Sequence, residues 1–218
     1  MALKTIRNDR RRLADAVYRQ LLDAIISREI GPNDQLVQQK LAEEMQISRT
    51  PVREALFRLE QEGVLRSSPR GGFILYQMKE PEIRELYQAR AAIEGQAARI
   101  LAARQGRKIL EELRKTILRE ENLREKTVRA YFEANRNIHS KFVELTGNRF
   151  LSEMFNMIWG KAMAFHLFSA IAEEDLEKSL TDHMTLVDVI ATGDRTAALE
   201  TYTAHIQDGF DLQIKSLD

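Results

Sequence analysis

Apolar residues recur along this chain at three- and four-residue spacing far more often than at every second position, so the pattern is helical almost throughout. A first helix is expected from about Leu13 to Ser27, closed by Gly31-Pro32. A second follows from about Gln38 to Met45, and a third runs from Ile47-Ser48 to about Glu62, where Gly63 stops it. Two short runs then break the period: Val64 to Ser67 and Gly72 to Tyr76 read as strands around Pro69-Arg70-Gly71. Three helices and a hairpin make a winged helix-turn-helix. All four prolines (Pro32, Pro51, Pro69, Pro81) lie in the first 81 residues, and the remainder should be helical throughout. Gly106, Gly147 and Gly193 divide it into helices near 80–104, 107–125, 127–146, 149–171, 175–192 and 194–216. The fold class is therefore mainly α, with a winged helix-turn-helix over 1–78 and an all-α helical bundle over 79–218.

Composition narrows the function. With 218 residues, 44% hydrophobic and 30% charged, the chain can build two modest cores. No apolar run approaches the roughly 18 residues a membrane helix needs, and the charged first twelve residues do not resemble a signal peptide, so a cytoplasmic location is expected. Cysteine is absent, which excludes disulfides, thiolate catalysis and Cys-based zinc sites. Net charge is zero, yet residues 1–78 carry +3 and residues 79–218 carry −3. A nucleic-acid footprint is local, and this asymmetry has the sign one requires.

The stretch Lys40 to Gly63 places a short helix, a tight turn and a second helix whose N-terminal end can enter a major groove. Ser48 is the expected N-cap, and Pro51 falls in the first turn, where its missing N–H costs nothing. Val52, Ala55, Leu56 and Leu59 form one apolar face. Arg49, Thr50 and Arg53 emerge opposite, with the two guanidiniums at i and i+4, able to read guanine edges or grip phosphates. The alternative is a solvated face in which they pair with Glu43 or Glu54. Arg66 and Arg70 flank a Gly71-Gly72 tip that permits close approach to a sugar-phosphate backbone, which tips the balance toward DNA. The Arg10-Arg11-Arg12 run could add phosphate contacts or be a solvated terminus.

These residues carry a resemblance. Leu36 to Glu44, then Ile47-Ser48-Arg49-Thr50-Pro51-Val52-Arg53-Glu54-Ala55-Leu56, Leu59-Glu60 and Glu62-Gly63, resemble the DNA-binding domain of the GntR family. The resemblance implies DNA contacts from Arg49, Thr50, Arg53 and the wing glycines and basic residues. Some members carry an arginine where this chain has Gln39. After the linker, Ile83 to Arg90, Ile93-Glu94 and Ala97-Ala98 are similar to the opening of the FadR-type effector domain, the FCD domain. The chain thus resembles a homodimeric regulator that binds a palindromic double-stranded DNA operator and answers to a small carboxylate, an organic or sugar acid.

Four histidines exist, His139, His166, His183 and His205, and their spacing alone says only that each lies on an expected helix. The resemblance implies more: FCD domains with a metal use an Asp and a His four apart and one His on each of two later helices. The matching positions are Asn135, His139, His183 and His205. Asn135 stands where the family has Asp. An amide oxygen brings no charge, so three neutral imidazoles and a weak oxygen donor favour zinc or nickel over harder divalent ions. The alternative is a metal-free polar pocket whose histidines bond the ligand directly. Arg90 matches a family arginine that pairs with an acid effector, or else it is a surface ion-pair partner of Glu85 or Glu94. His166 lies outside the pattern. Trp159, Phe165 and Met154, Met157 and Met163 read as bundle core. Three histidines around an open metal also describe a hydrolytic centre, so a metal-dependent enzyme with a vestigial DNA-binding head is a competing reading. It lacks a nucleophile elbow, a phosphate-binding glycine loop and a recognisable general base. A third reading is a metal or structural regulator that binds DNA without any organic effector.

Overall fold

The computed structural model describes residues 9–160 and 162–215, without the side chains of residues 9–11, 162, 163 and 173. Arg10, Arg11 and Met163 of the sequence reading therefore lie outside the described side chains. The chain divides into two compact units between Gln77 and Met78.

In the first unit, α1 (Asp9–Ile26), α2 (Gln38–Glu44) and α3 (Arg49–Gln61) precede β1 (Leu65–Ser67) and β2 (Phe73–Leu75). The apolar stripe of α1, Val17, Leu21 and Ile25, is buried, as are Val52, Leu56 and Leu59 of the α3 it packs on. Burying both stripes is what stabilises two helices too short to persist alone. The turn before α3 is tightened by Gln46 at φ 53 and by the Ile47 N–H donating to Ala42 O at 3.0 Å. Ser48 occupies the N-cap position with extended backbone, but its side chain makes no capping bond. Gln38 instead reaches across, its Nε2 donating to Arg49 O at 2.9 Å. The strands pair antiparallel in the register Leu65↔Leu75, Arg66↔Ile74 and Ser67↔Phe73. Leu36 adds a bridge to Phe73 on the outer side of β2.

The second unit contains α4 (Glu80–Arg104), α5 (Arg107–Glu120), α6 (Val128–Glu144), α7 (Arg149–Trp159), α8 (Ala162–Phe168), α9 (Glu173–Leu176), a 3-10 turn (Lys178–Leu180), α10 (His183–Thr192) and α11 (Arg195–Lys215). The start of α4 is set by Pro81 in its first turn and by Lys79 N–H donating to Glu82 Oε2 at 3.0 Å. α4 lies along α11 and also touches α6, α7 and α10. Three expectations fail here. The helix expected over 149–171 ends at Trp159, with Gly160, the poorest ordinary helix former, as its C-cap. The helix expected over 175–192 breaks at Thr181-Asp182, where Asp182 takes φ 66, a left-handed conformation that a short polar side chain tolerates. Met154 and Met157 are not core but 42% and 63% exposed, because α7 buries the face made by Leu151, Phe155 and Trp159. Trp159 and Phe165 are buried as expected.

The two wing glycines differ physically. Both have positive φ, 87 for Gly71 and 70 for Gly72, but a Cβ on Gly71 would meet nothing, whereas one on Gly72 would fall 2.5 Å from Leu36 O. Gly72→Ala should therefore open the Leu36 to Phe73 bridge and Gly71→Ala should leave it closed. Hydrogen exchange at the Phe73 amide is expected to accelerate at least about tenfold in the first variant relative to the second, and equal rates would refute the clash.

Candidate functional site

The second unit gathers three of its histidines at one place. His139 comes from α6, one turn after Asn135; His183 is the first residue of α10; His205 lies midway along α11. Their ring nitrogens lie within 4.8 Å of one another. The break at Asp182 matters for this: a helix continuing through 182 would have no start at His183. His166, on α8, stays outside the cluster.

The orientation of the rings follows from their other nitrogens. His139 Nδ1 lies 2.5 Å from Glu94 Oε2 and 3.1 Å from the Tyr202 hydroxyl. Burial alone would push the Glu94 carboxyl up, but the guanidinium of Arg90, with His139 and the Trp159 N–H, outweighs it and holds it down at about 2. Glu94 is thus an obligate acceptor and Nδ1 must be the donor. Nε2 of His139 is left with its lone pair free for a ligand. His183 repeats the arrangement more loosely, Nδ1 at 3.3 Å from Glu121 Oε1, while its Nε2 is buried with no hydrogen-bond partner among the described residues. Burial lowers His139 to about 4, against the pull of Glu94. His205 falls to about 2 by burial and by the neighbouring His139, His183 and Arg90. These two imidazoles are accordingly neutral, the form in which imidazole ligates a cation.

Asn135 commits its amide nitrogen, Nδ2 donating to Tyr131 O at 3.0 Å and to Ser179 Oγ at 3.2 Å. Its Oδ1 is the atom it can offer a ligand. Asn135, His139 and His205 line one cavity with Arg90, Tyr87, Trp159 and Lys178. Arg90 is not the surface residue of one sequence alternative: it is 9% exposed and its Nε donates to Glu94 Oε1 at 3.1 Å. Its guanidinium lies over the rings of Trp159 and Tyr87, at 4.3 and 4.7 Å. Trp159 is core and site wall at once, its Nε1 donating to Glu94 Oε1 at 3.1 Å. Sequence reasoning missed Glu94 as a support for His139 and missed Glu121, Tyr202 and Trp159 in the site. The one available signal was the i, i+4 spacing of Arg90 and Glu94.

The donor set tests whether a cation fits. Neutral imidazoles, carboxylates fixing the rear of two of them, and a buried Nε2 that bonds nothing in the protein are together what a zinc-like ion requires. A buried polar atom without a partner is costly, and a ligand atom on it removes that cost.

The first unit holds the other candidate site. Arg49 and Arg53 are exposed on α3, and among the described residues neither forms an ion pair. Glu43 is engaged by Gln39 Nε2 at 3.0 Å, so the solvated-pair alternative lacks that partner. Thr50 is half-buried beside them, and Ser48 is exposed at the helix start. Across the hairpin, Arg66, Arg70 and Gly71 are exposed, with Gly72 half-buried. Gln39 is tied to Glu43 on its own helix.

Residues 85–208 match the FCD domain family, and residues 13–75 match the bacterial regulatory proteins of the gntR family. The chain is 30% identical over 168 residues to a probable D-xylose utilization operon transcriptional repressor of Paenarthrobacter nicotinovorans, covering 77% of this chain and 74% of that one. An uncharacterized HTH-type transcriptional regulator of Agrobacterium vitis is 36% identical over 87 residues, 40% of this chain and 51% of its own length. Among solved structures, E. coli McbR/YncC superposes with a TM-score of 0.66 at 20% identity, over 94% of this chain and 99% of that one, a likeness of fold.

Glu94 should also carry stability. Glu94→Ala leaves Arg90 buried without its counter-charge, a loss expected at about 3–5 kcal/mol, with Glu94→Gln intermediate. Trp159, the only tryptophan of the chain, reports on this site in a denaturant titration. A loss under about 1 kcal/mol for Glu94→Ala would mean that Arg90 finds solvent when unpaired.

Proposed function

Because this chain belongs to the GntR family of bacterial regulatory proteins and carries an FCD domain, we propose that it acts as a homodimer on a palindromic operator. In this reading a small carboxylate, bound in the helical unit beside a divalent cation, modulates it. The chain is a transcription regulator, and the competing enzyme reading falls, since its families and relatives are regulators.

The observation that carries the effector half of the proposal is the buried, unpartnered His183 Nε2 inside the three-histidine cluster. His139, His183 and His205 would hold the cation, with Asn135 Oδ1 as a further donor, and the nitrogen-rich set favours zinc or nickel. When bound, the cation supplies positive charge against which a carboxylate can rest. The protein's own residues do the remaining work. Glu94 fixes the His139 tautomer, Arg90 presents a guanidinium to the cavity from between two aromatic rings, and Trp159 walls off solvent.

Charge decides the order of events. Of the cations lining the cavity, Arg90 is already paired with Glu94 and Lys178 with Asp175, whereas Asp182 and Asp208 have no cationic partner among the described residues. The two cations and two carboxylates of the lining balance, and with both cations already paired an acid should be poorly held until the histidine site is filled.

The DNA half rests on Arg49 and Arg53, which form no ion pair among the described residues, on a helix whose opposite face is fully buried. Arg49, Thr50 and Arg53 would enter the major groove, and Ser48, Arg66, Arg70, Gly71 and Gly72 would meet the backbone. Two such units related by a two-fold match the halves of a palindromic site.

Three measurements test the proposal. Elemental analysis should find about one zinc or nickel per chain, lost in His139→Ala, and Glu94→Gln should weaken zinc binding by about 10- to 100-fold. Thermal midpoints should rise with a small acid only in the zinc-loaded protein; an equal rise in the metal-free protein would break the ordering argument. Arg49→Ala should cost about 1–3 kcal/mol on the specific operator, and unchanged affinity would remove Arg49 from base readout.

A further inference from the structure

The wing is held from outside its own hairpin. Leu36 donates its N–H to Phe73 O at 2.7 Å and accepts from Phe73 N–H at 2.9 Å, so a single residue ahead of α2 runs beside β2. This brings Gln35 beside the hairpin tip, where its Nε2 donates to Arg70 O at 3.2 Å and also to Gly71 O. Three further bonds lie within the tip itself. Ser68 N–H donates to Gly72 O and Gly71 N–H to Ser68 O, each at 2.9 Å, and Arg70 N–H donates to Ser68 Oγ at 3.2 Å.

Gln35 is exposed and buries no surface worth a core contact. Its amide does two things that matter for a polyanion. It occupies two carbonyl oxygens whose partial negative charge would oppose a phosphate, and it fixes the two peptide planes, Arg70–Gly71 and Gly71–Gly72, that flank the Gly71 Cα. A tip with two successive glycines at positive φ is otherwise free to sample many shapes, and that freedom would be lost on binding. The clamp removes part of that loss in advance.

We propose that Gln35 is a positioning residue for DNA binding, clamping the Arg70 and Gly71 carbonyls so that the wing presents Arg70 to the sugar-phosphate backbone in a fixed place. This rests on the reading of the wing as a DNA contact. It reaches beyond it in assigning the wing's geometry to a residue ahead of the helix-turn-helix.

The test uses the full chain and a short random-sequence DNA duplex at low salt, where binding is electrostatic. Affinity is read by fluorescence anisotropy over a salt series. Gln35→Met keeps length and neutrality but cannot donate. It should weaken binding roughly 2- to 10-fold, the effect of one net hydrogen bond, and flatten the salt dependence by about one phosphate contact. Arg70→Ala should do the same, and the double variant should be no weaker than Arg70→Ala alone, because both changes remove one contact. Wild-type binding by Gln35→Met alongside weakened Arg70→Ala would overturn the clamp and leave the wing reading standing. Wild-type binding by Arg70→Ala would overturn the wing reading and the clamp with it. Additive losses, or a lowered melting midpoint with an unchanged salt slope, would make Gln35 a residue of general hairpin structure and overturn the proposal.

Discussion

A single carboxylate, that of Glu94, is the point around which the helical unit is organised. Removing a carboxylate from water costs several kcal/mol unless it is paired and fully hydrogen-bonded. Glu94 draws groups from three helices around it: Arg90 of its own α4 and Trp159 of α7 donate to Oε1, and His139 of α6 lies against Oε2. Each donor is thereby fixed in direction. The requirement to neutralise one buried charge thus also fixes which nitrogen of His139 is free, where the Arg90 guanidinium lies and which way the Trp159 ring faces. Chemistry at the cavity is a by-product of satisfying Glu94.

The DNA-reading unit handles charge in the opposite way. Arg49 and Arg53 of α3 are left exposed and, among the described residues, without an ion pair, and order comes from the other side of the helix, where Val52, Leu56 and Leu59 are excluded from water. A guanidinium awaiting a phosphate gains from having no competing carboxylate, whereas a guanidinium inside a cavity cannot exist without one. At the start of α3 and at the wing tip the backbone is held by neutral groups: Gln38 on Arg49 O, Gln35 on the wing tip, and the Leu36 bridge to Phe73.

Much of this was legible in the chain itself. The three-helix and hairpin order followed from apolar periodicity and from Gly and Pro punctuation, and the exposed arginine face followed from 3.6-residue geometry, because both are local properties. The breaks at Gly160 and Asp182 were not legible. Periodicity continues through each, and only the packing of the short α8 and α9 shows that the chain turns there. Met154 and Met157 were misplaced for a related reason: an apolar residue on a helix announces hydrophobicity, while which face meets a neighbour depends on helices far away in sequence.

The sequence alone determined the elements that depend on neighbours three or four residues apart: the winged helix, the helical character of the remainder, the Arg49 and Arg53 pair, and the placing of Asn135 and His139 on one face. Tertiary structure decided what depends on the packing of whole helices against one another. It brought His139, His183 and His205 within 4.8 Å of one another, turned Arg90 inward on Glu94, and left His183 Nε2 without a partner. The physical reason is that local periodicity tells a helix which residues share a face. Only the burial of a charge, shared among several helices, tells those faces what to surround.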